Sequence, residues 1–116
     1  MALHSVKTFR KYVETLPAVT LHEQWESHVA KVGDKIFALI SDSGDYIAFK
    51  VTELSFDGLT SLDGVQEAAY FAKRAWVRVD KGADLSDADL KSYIAASHAM
   101  IVAKLTRKLR AELGLD

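Results

Sequence analysis

The 116-residue chain contains no cysteine, a single proline and no long apolar run. Without cysteine there is no disulfide framework, no thiolate nucleophile and no cysteine-ligated zinc, and the composition suits a reducing compartment. The longest apolar stretch, Ile36 to Ile40, is strand-length and far short of the ~20 residues a membrane-spanning helix needs. Residues 1–16 carry charges throughout and lack the unbroken apolar core of a secretory leader, so the expectation is a soluble, cytoplasmic protein. Charge of one sign is also scarce: 15 basic and 16 acidic side chains leave a net −1. A wholly basic surface is thereby excluded, and any contact with nucleic acid must come from a local patch. What is present is globular, with 49% hydrophobic and 27% charged residues. A chain of this length buries roughly two thirds of its unfolded surface, so one domain over residues 1–116 is expected to stand without a metal or disulfide.

Signatures of catalysis are equally thin. His4, His22, His28 and His98 include no pair at helical i, i+4 spacing and no metalloprotease motif. Asp42 and Asp45 sit in a Gly-containing turn but lack the other ligands of a calcium loop. Asp84, Asp87 and Asp89 fit the start of a helix, where the macrodipole favours acids. No Gly-rich phosphate loop or nucleophile elbow is present. No cofactor, metal or reaction is expected from these residues.

The elements are more legible. Ser5 stands before apolar residues at Val6, Phe9, Val13 and Leu16, one helical stripe that Pro17 ends. Ser27–Val32, Lys35–Ile40 and Tyr46–Val51 are rich in β-branched and aromatic residues. Gly33-Asp34 and Asp42-Ser43-Gly44-Asp45 separate them, which predicts a three-stranded antiparallel meander. Strict alternation puts Ile36, Ala38 and Ile40 on one face and Phe37 and Leu39 on the other, with apolar residues on both. One face must take the helices. The other is covered by loops or a second copy, or it offers a partner surface. Residues 52–66 read as a short helical turn and a loop. Residues 75–79 alternate as a strand, with Trp76 expected as a central core residue opposite Val77 and Val79. Ser86-Asp87-Ala88-Asp89 resembles a capping box, followed by Leu90, Ile94, Ser97 and Ile101 on one stripe. The helix either continues through Leu105, Leu109 and Leu113 or bends near Thr106.

Lys104, Arg107, Lys108 and Arg110 are the strongest electrostatic feature. They read either as a solvated helix end that complements the dipole or as a phosphate-contacting patch.

Several segments, taken in order, resemble the MmcQ/YjbR family of small bacterial proteins. They are Leu16-Pro17-Ala18-Val19, Trp25 through Ala38, Phe49-Lys50-Val51, Ala69 through Val77, Ser97-His98 and Ala103 through Lys108. The resemblance spans nearly the whole chain. It implies an α+β, two-layer domain: an N-terminal helix, a curved, mainly antiparallel sheet, and C-terminal helices packed on one face, as in frataxin-like and secretion-chaperone-like folds. The family label implies a non-enzymatic DNA-binding role, with no established reaction. On that reading Lys104, Arg107, Lys108 and Arg110 contact phosphates, joined by Lys73, Arg74 and Lys50. The alternative is a protein-interaction or chaperone-like module using an apolar sheet face around Trp25, Phe37 and Tyr46. Departures lie in loops: Ala18 replaces a usual Gly, and Thr106 stands where Pro is common. The first helix carries Lys7, Arg10 and Lys11 and is no acidic ridge, so iron binding is not carried over.

Overall fold

The computed structural model describes residues 2–115; residues 1 and 116 of the expected domain lie outside them. Elements follow in the order α1 (Val6–Val13), β1 (Val19–Gln24), β2 (Ser27–Val32), β3 (Lys35–Ser41) and β4 (Tyr46–Lys50). Then come α2 (Glu53–Thr60), β5 (Val65–Glu67), β6 (Trp76–Asp80), α3 (Asp87–Lys104) and α4 (Arg107–Glu112). The strands form one antiparallel sheet in the spatial order β1-β2-β3-β4-β6-β5. The fold is therefore α+β, as expected.

The meander and the Trp76 strand fall where the alternation puts them. Two further strands, β1 and β5, carry weak signals. β5 has three residues, and β1 is an edge strand whose last residues are His22, Glu23 and Gln24. The β1–β2 hairpin is closed by Trp25 and Glu26, both in the left-handed region at φ +54° and +56°. That turn normally calls for Asn or Gly, so nothing in the composition announces it. Ala18, where the resemblance carries Gly, is also left-handed, at φ +58°.

The apolar stripes of the helices bury Phe9 and Val13 from α1, Phe56 and Leu59 from α2, and Leu90, Ile94 and Ile101 from α3. They meet Ala30, Val32, Ala38, Ile40, Ile47, Phe49, Val77 and Val79 on one face of the sheet. A smaller cluster of Val29, Leu39, Ala48, Ala68 and Trp76 occupies the other face, and no helix residue joins it. Trp76 is buried, as expected, and lies opposite Val77 and Val79, but it belongs to this second cluster.

Phe37 requires a correction. Alternation puts it beside Leu39, yet it is fully buried in the helix-side core. The reason is a bulge in the β2–β3 ladder: Ala30 pairs with Ala38 but Lys31 pairs with Ile36, so Phe37 is the extra residue. A bulge re-aims the side chain it inserts, and both Phe37 and Ala38 enter the core. Phe37 meets His98 edge-on, with centroids 5.1 Å apart.

Two buried polar groups tie α3 to the sheet. Ser97 Oγ donates to the Phe37 carbonyl (2.6 Å) and accepts from the Lys50 N–H (3.1 Å). His98 Nε2 meets the Pro17 carbonyl at 2.8 Å. At the helix break, Leu105 turns extended (ψ 151°) and Thr106 caps α4, accepting from the Leu109 N–H at 3.1 Å. Leu105 is buried against Gly33, where a Cβ would lie 2.7 Å from its methyls. Two helices, rather than one, follow Ser86.

Candidate functional site

The helix-free sheet face holds a groove of about 550 Å³. Its floor is Leu39 of β3, Ala48 of β4 and Ala68. Cross-strand pairing sets Leu39, Ala48 and Arg78 side by side across three strands. Ala48 is small and stands between larger neighbours, which leaves a depression. The walls are aromatic: Trp25 and Tyr46 on one side, Tyr70 and Phe71 on the other.

Each wall has a local cause. Residues 68–75 fold back over the sheet, held by Ala68 N–H to the Trp76 carbonyl (3.1 Å) and Arg74 N–H to the Glu67 carboxylate (2.7 Å). Phe71 thereby stacks on Trp76 with centroids 4.1 Å apart and planes 17° from parallel. Tyr70 lies at φ +71° with its side chain fully in solvent. Trp25, on its strained hairpin turn, is 66% exposed. The Arg78 guanidinium lies 4.0 Å from the Tyr46 ring centroid while its Nε donates to Asp80 at 2.7 Å. Non-glycine residues in left-handed backbone cost of order 1–3 kcal/mol each, and three of them, the aromatics Trp25 and Tyr70 together with Glu26, gather around this groove.

Beyond Trp25 and Tyr46 the groove continues into a shallower recess of about 370 Å³, edged by Glu26, Asp42 and the hydroxyls of Ser41 and Ser43. Asp42 N–H donates to the Glu26 carbonyl (3.0 Å), which ties the β1–β2 turn to the end of β3. His28 joins Asp42 (Nε2 to Oδ1, 3.2 Å) to Arg10 (Nδ1 to Nη1, 2.9 Å), bridging sheet and α1.

The proposed phosphate contacts do not form one stripe. The Leu105–Thr106 break separates Lys104, the last residue of α3, from Arg107 and Lys108 in the first turn of α4. A dipole explanation therefore fits Lys104 and Arg110 but not Arg107 or Lys108. Arg74 is committed elsewhere: its guanidinium binds Asp57 (3.0 Å) and Glu53 (3.5 Å) and lies over Phe56 at 5.1 Å. Lys73 is exposed in the same loop. Lys50 does meet Lys104. The neighbouring Lys104 ammonium, partial burial and the charge of Lys35 hold Lys50 below the ordinary lysine range. Of the alternative face, Trp25 and Tyr46 line the groove and Phe37 does not. Tyr70 and Phe71 were the residues that sequence reasoning missed. Their signal is an aromatic pair among alanines just ahead of a strand whose Trp76 faces away from the helices. Among the described residues no group of three or more His, Asp or Glu could hold a metal ion, and no helix is long and apolar enough to cross a membrane.

A six-stranded antiparallel sheet with helices on one face places the chain among small α+β proteins. Within that class, the YjbR family model matches residues 14–100, and the chain belongs to this family. The structure is similar to that of the Deinococcus radiodurans protein DR2400, described by the family-model domain DUF419. The TM-score is 0.85 at 23% identity, over 97% of this chain and 89% of the other. It is also similar to a Pseudomonas syringae protein, target PsR293, with a TM-score of 0.66 at 19% identity, over 78% of this chain and 93% of the other. At these identities the likeness is one of fold. No curated protein matches the chain significantly.

Proposed function

We propose that this chain is a non-catalytic binding module that receives a segment of a protein partner in the aromatic groove. The observation that carries this reading is the concentration of exposed aromatic side chains on strained backbone around an apolar floor. Specific protein contacts centre on aromatic anchors in desolvated pockets, and a groove of this volume accepts one or two large side chains. His98 lies on the opposite face in the core and His28 is held between Arg10 and Asp42, so the groove itself offers Arg78 and hydroxyls rather than an acid–base pair. This supports binding over catalysis. The test is selection of binders from a random peptide library, followed by measurement on the Trp25→Ser, Tyr70→Ser double variant, whose changes fall on exposed side chains. Selected peptides should lose most of their affinity for the variant. Equal binding to both proteins, or a library that yields no binder, would remove the reading.

A second reading, weak phosphate contact by a basic cluster, is favoured by the convergence of Lys35, Lys50 and Lys104. Such binding carries no base selectivity and falls steeply with salt. Lys50→Glu and Lys104→Glu should lower affinity for a DNA duplex and flatten its salt dependence. Absence of duplex and single-strand binding at low salt would end this reading.

A further inference from the structure

The groove is mainly apolar at one end and acidic at the other, and we infer that its occupant is an extended peptide carrying a large apolar side chain two residues from a lysine or arginine. This deepens the proposed function and rests on it. The larger recess, floored by Leu39 and Ala48, has no carboxylate on its lining; its one charged group, Arg78, is paired with Asp80 at 2.7 Å, and the rest suits an aliphatic or aromatic side chain. The smaller one shares Trp25 and Tyr46 with it and adds Glu26 and Asp42. One face of Tyr46 already carries the Arg78 guanidinium at 4.0 Å, so the exposed Trp25 ring beside the two carboxylates is what an incoming ammonium or guanidinium meets, attracted by the ring quadrupole and the negative charges together. Asp42 is shared with His28 at 3.2 Å, whereas the Glu26 carboxylate has no hydrogen bond or ion pair among the described residues. The shared backbone bond from Asp42 N–H to the Glu26 carbonyl keeps both acids at the same end.

The two recesses meet at Trp25 and Tyr46, so one occupant reaches both only if its apolar and cationic groups lie close together on the same side of it. An extended peptide does this with residues i and i+2, whose side chains share one face and are spaced by two backbone rises, roughly 6.6 Å. The same acids repel a phosphate backbone, so this end of the groove selects against nucleic acid.

The test is a titration of the full chain with acetyl-Ser-Leu-Phe-Lys-Lys-Ser-amide and with the counterpart in which both lysines are glutamate. Trp25 emission in a Trp76→Phe background and amide NMR shifts provide the readout. The lysine peptide should bind about tenfold more tightly at low ionic strength, a gap that closes as salt rises. Glu26→Gln and Asp42→Asn should each narrow the gap while leaving the glutamate peptide's affinity unchanged or improved. Trp25→Ala should weaken both peptides. Equal affinity for the two peptides, lost in Trp25→Ala, would overturn the cationic half and leave the groove reading intact. If neither peptide perturbs Trp25 or the groove amides, both readings fail.

Discussion

Ser97 is the residue on which three elements converge. Its hydroxyl is fully buried, donating to β3 at Phe37 and accepting from the end of β4 at Lys50. Removing it leaves a carbonyl and an N–H without partners in a place water does not reach. Ser97→Ala should therefore cost about 1–3 kcal/mol, measured by urea denaturation, although the side chain loses only one atom. Lys50 itself gives a pH signature. Lys104, burial and Lys35 all lower its folded pKa below 10.5. Over the intervening range the unfolded chain holds more protons than the folded one, so stability rises with pH there. The penalty is complete below the folded pKa and fades as pH rises through it. Lys104→Gln removes the largest cause, so this variant should be more stable than the parent at neutral pH. Its advantage should shrink as pH approaches 10.5, followed by denaturation midpoints across a pH series. A constant difference across that series would show that the two ammoniums do not interact.

At the scale of elements, the break between α3 and α4 depends on one close approach. Leu105 leaves helical geometry and seats its methyls against Gly33, in the two-residue turn between β2 and β3. Gly33 has φ +57°, and an added Cβ would stand 2.7 Å from Leu105. Gly33→Ala is thus strained by its own backbone and must also push back the methyls of the buried Leu105. A loss of about 1–3 kcal/mol is expected, with the amides of α4 showing faster hydrogen exchange than those of the sheet. Uniform exchange in α4 and the sheet would detach the helix break from this contact. The bulge at Phe37 works at the same scale. It re-phases β3 and thereby puts Phe37 into the helix-side core instead of beside Leu39.

For the whole molecule, the two tryptophans report on opposite conditions of the same face. Trp76 is buried under Phe71, whereas Trp25 stands largely in solvent at the groove rim. Trp76→Ala should cost about 3–5 kcal/mol, while Trp25→Ala should stay within ~0.5 kcal/mol of the parent. Thermal melts of the two variants check this, and equal losses would contradict the division into a sealed cluster and an open groove. The sheet is finished by helices on one side only, and residues 68–75 cover part of the other. The remaining opening leaves Trp25 and Tyr46 available.

Periodicity and turn composition were enough for α1, the meander, the β6 strand and the Ser86 cap, because each of these is specified by neighbours in the chain. The ordered segments from Leu16 to Lys108 were likewise enough for the family. β1 escaped notice because its turn, Trp25-Glu26, adopts left-handed backbone without the residues that usually reveal it. The position of Phe37 could not be read at all: a bulge is a property of two strands paired together, and alternation within one strand carries no trace of it. The basic residues near the C-terminus looked like one helical face until Leu105 found its place on Gly33. Trp25 and Tyr46 were legible as candidate contact residues from their type. Only tertiary structure set them beside Tyr70, Phe71 and Arg78, since a groove is made by strands and a loop far apart in sequence closing around the small side chain of Ala48.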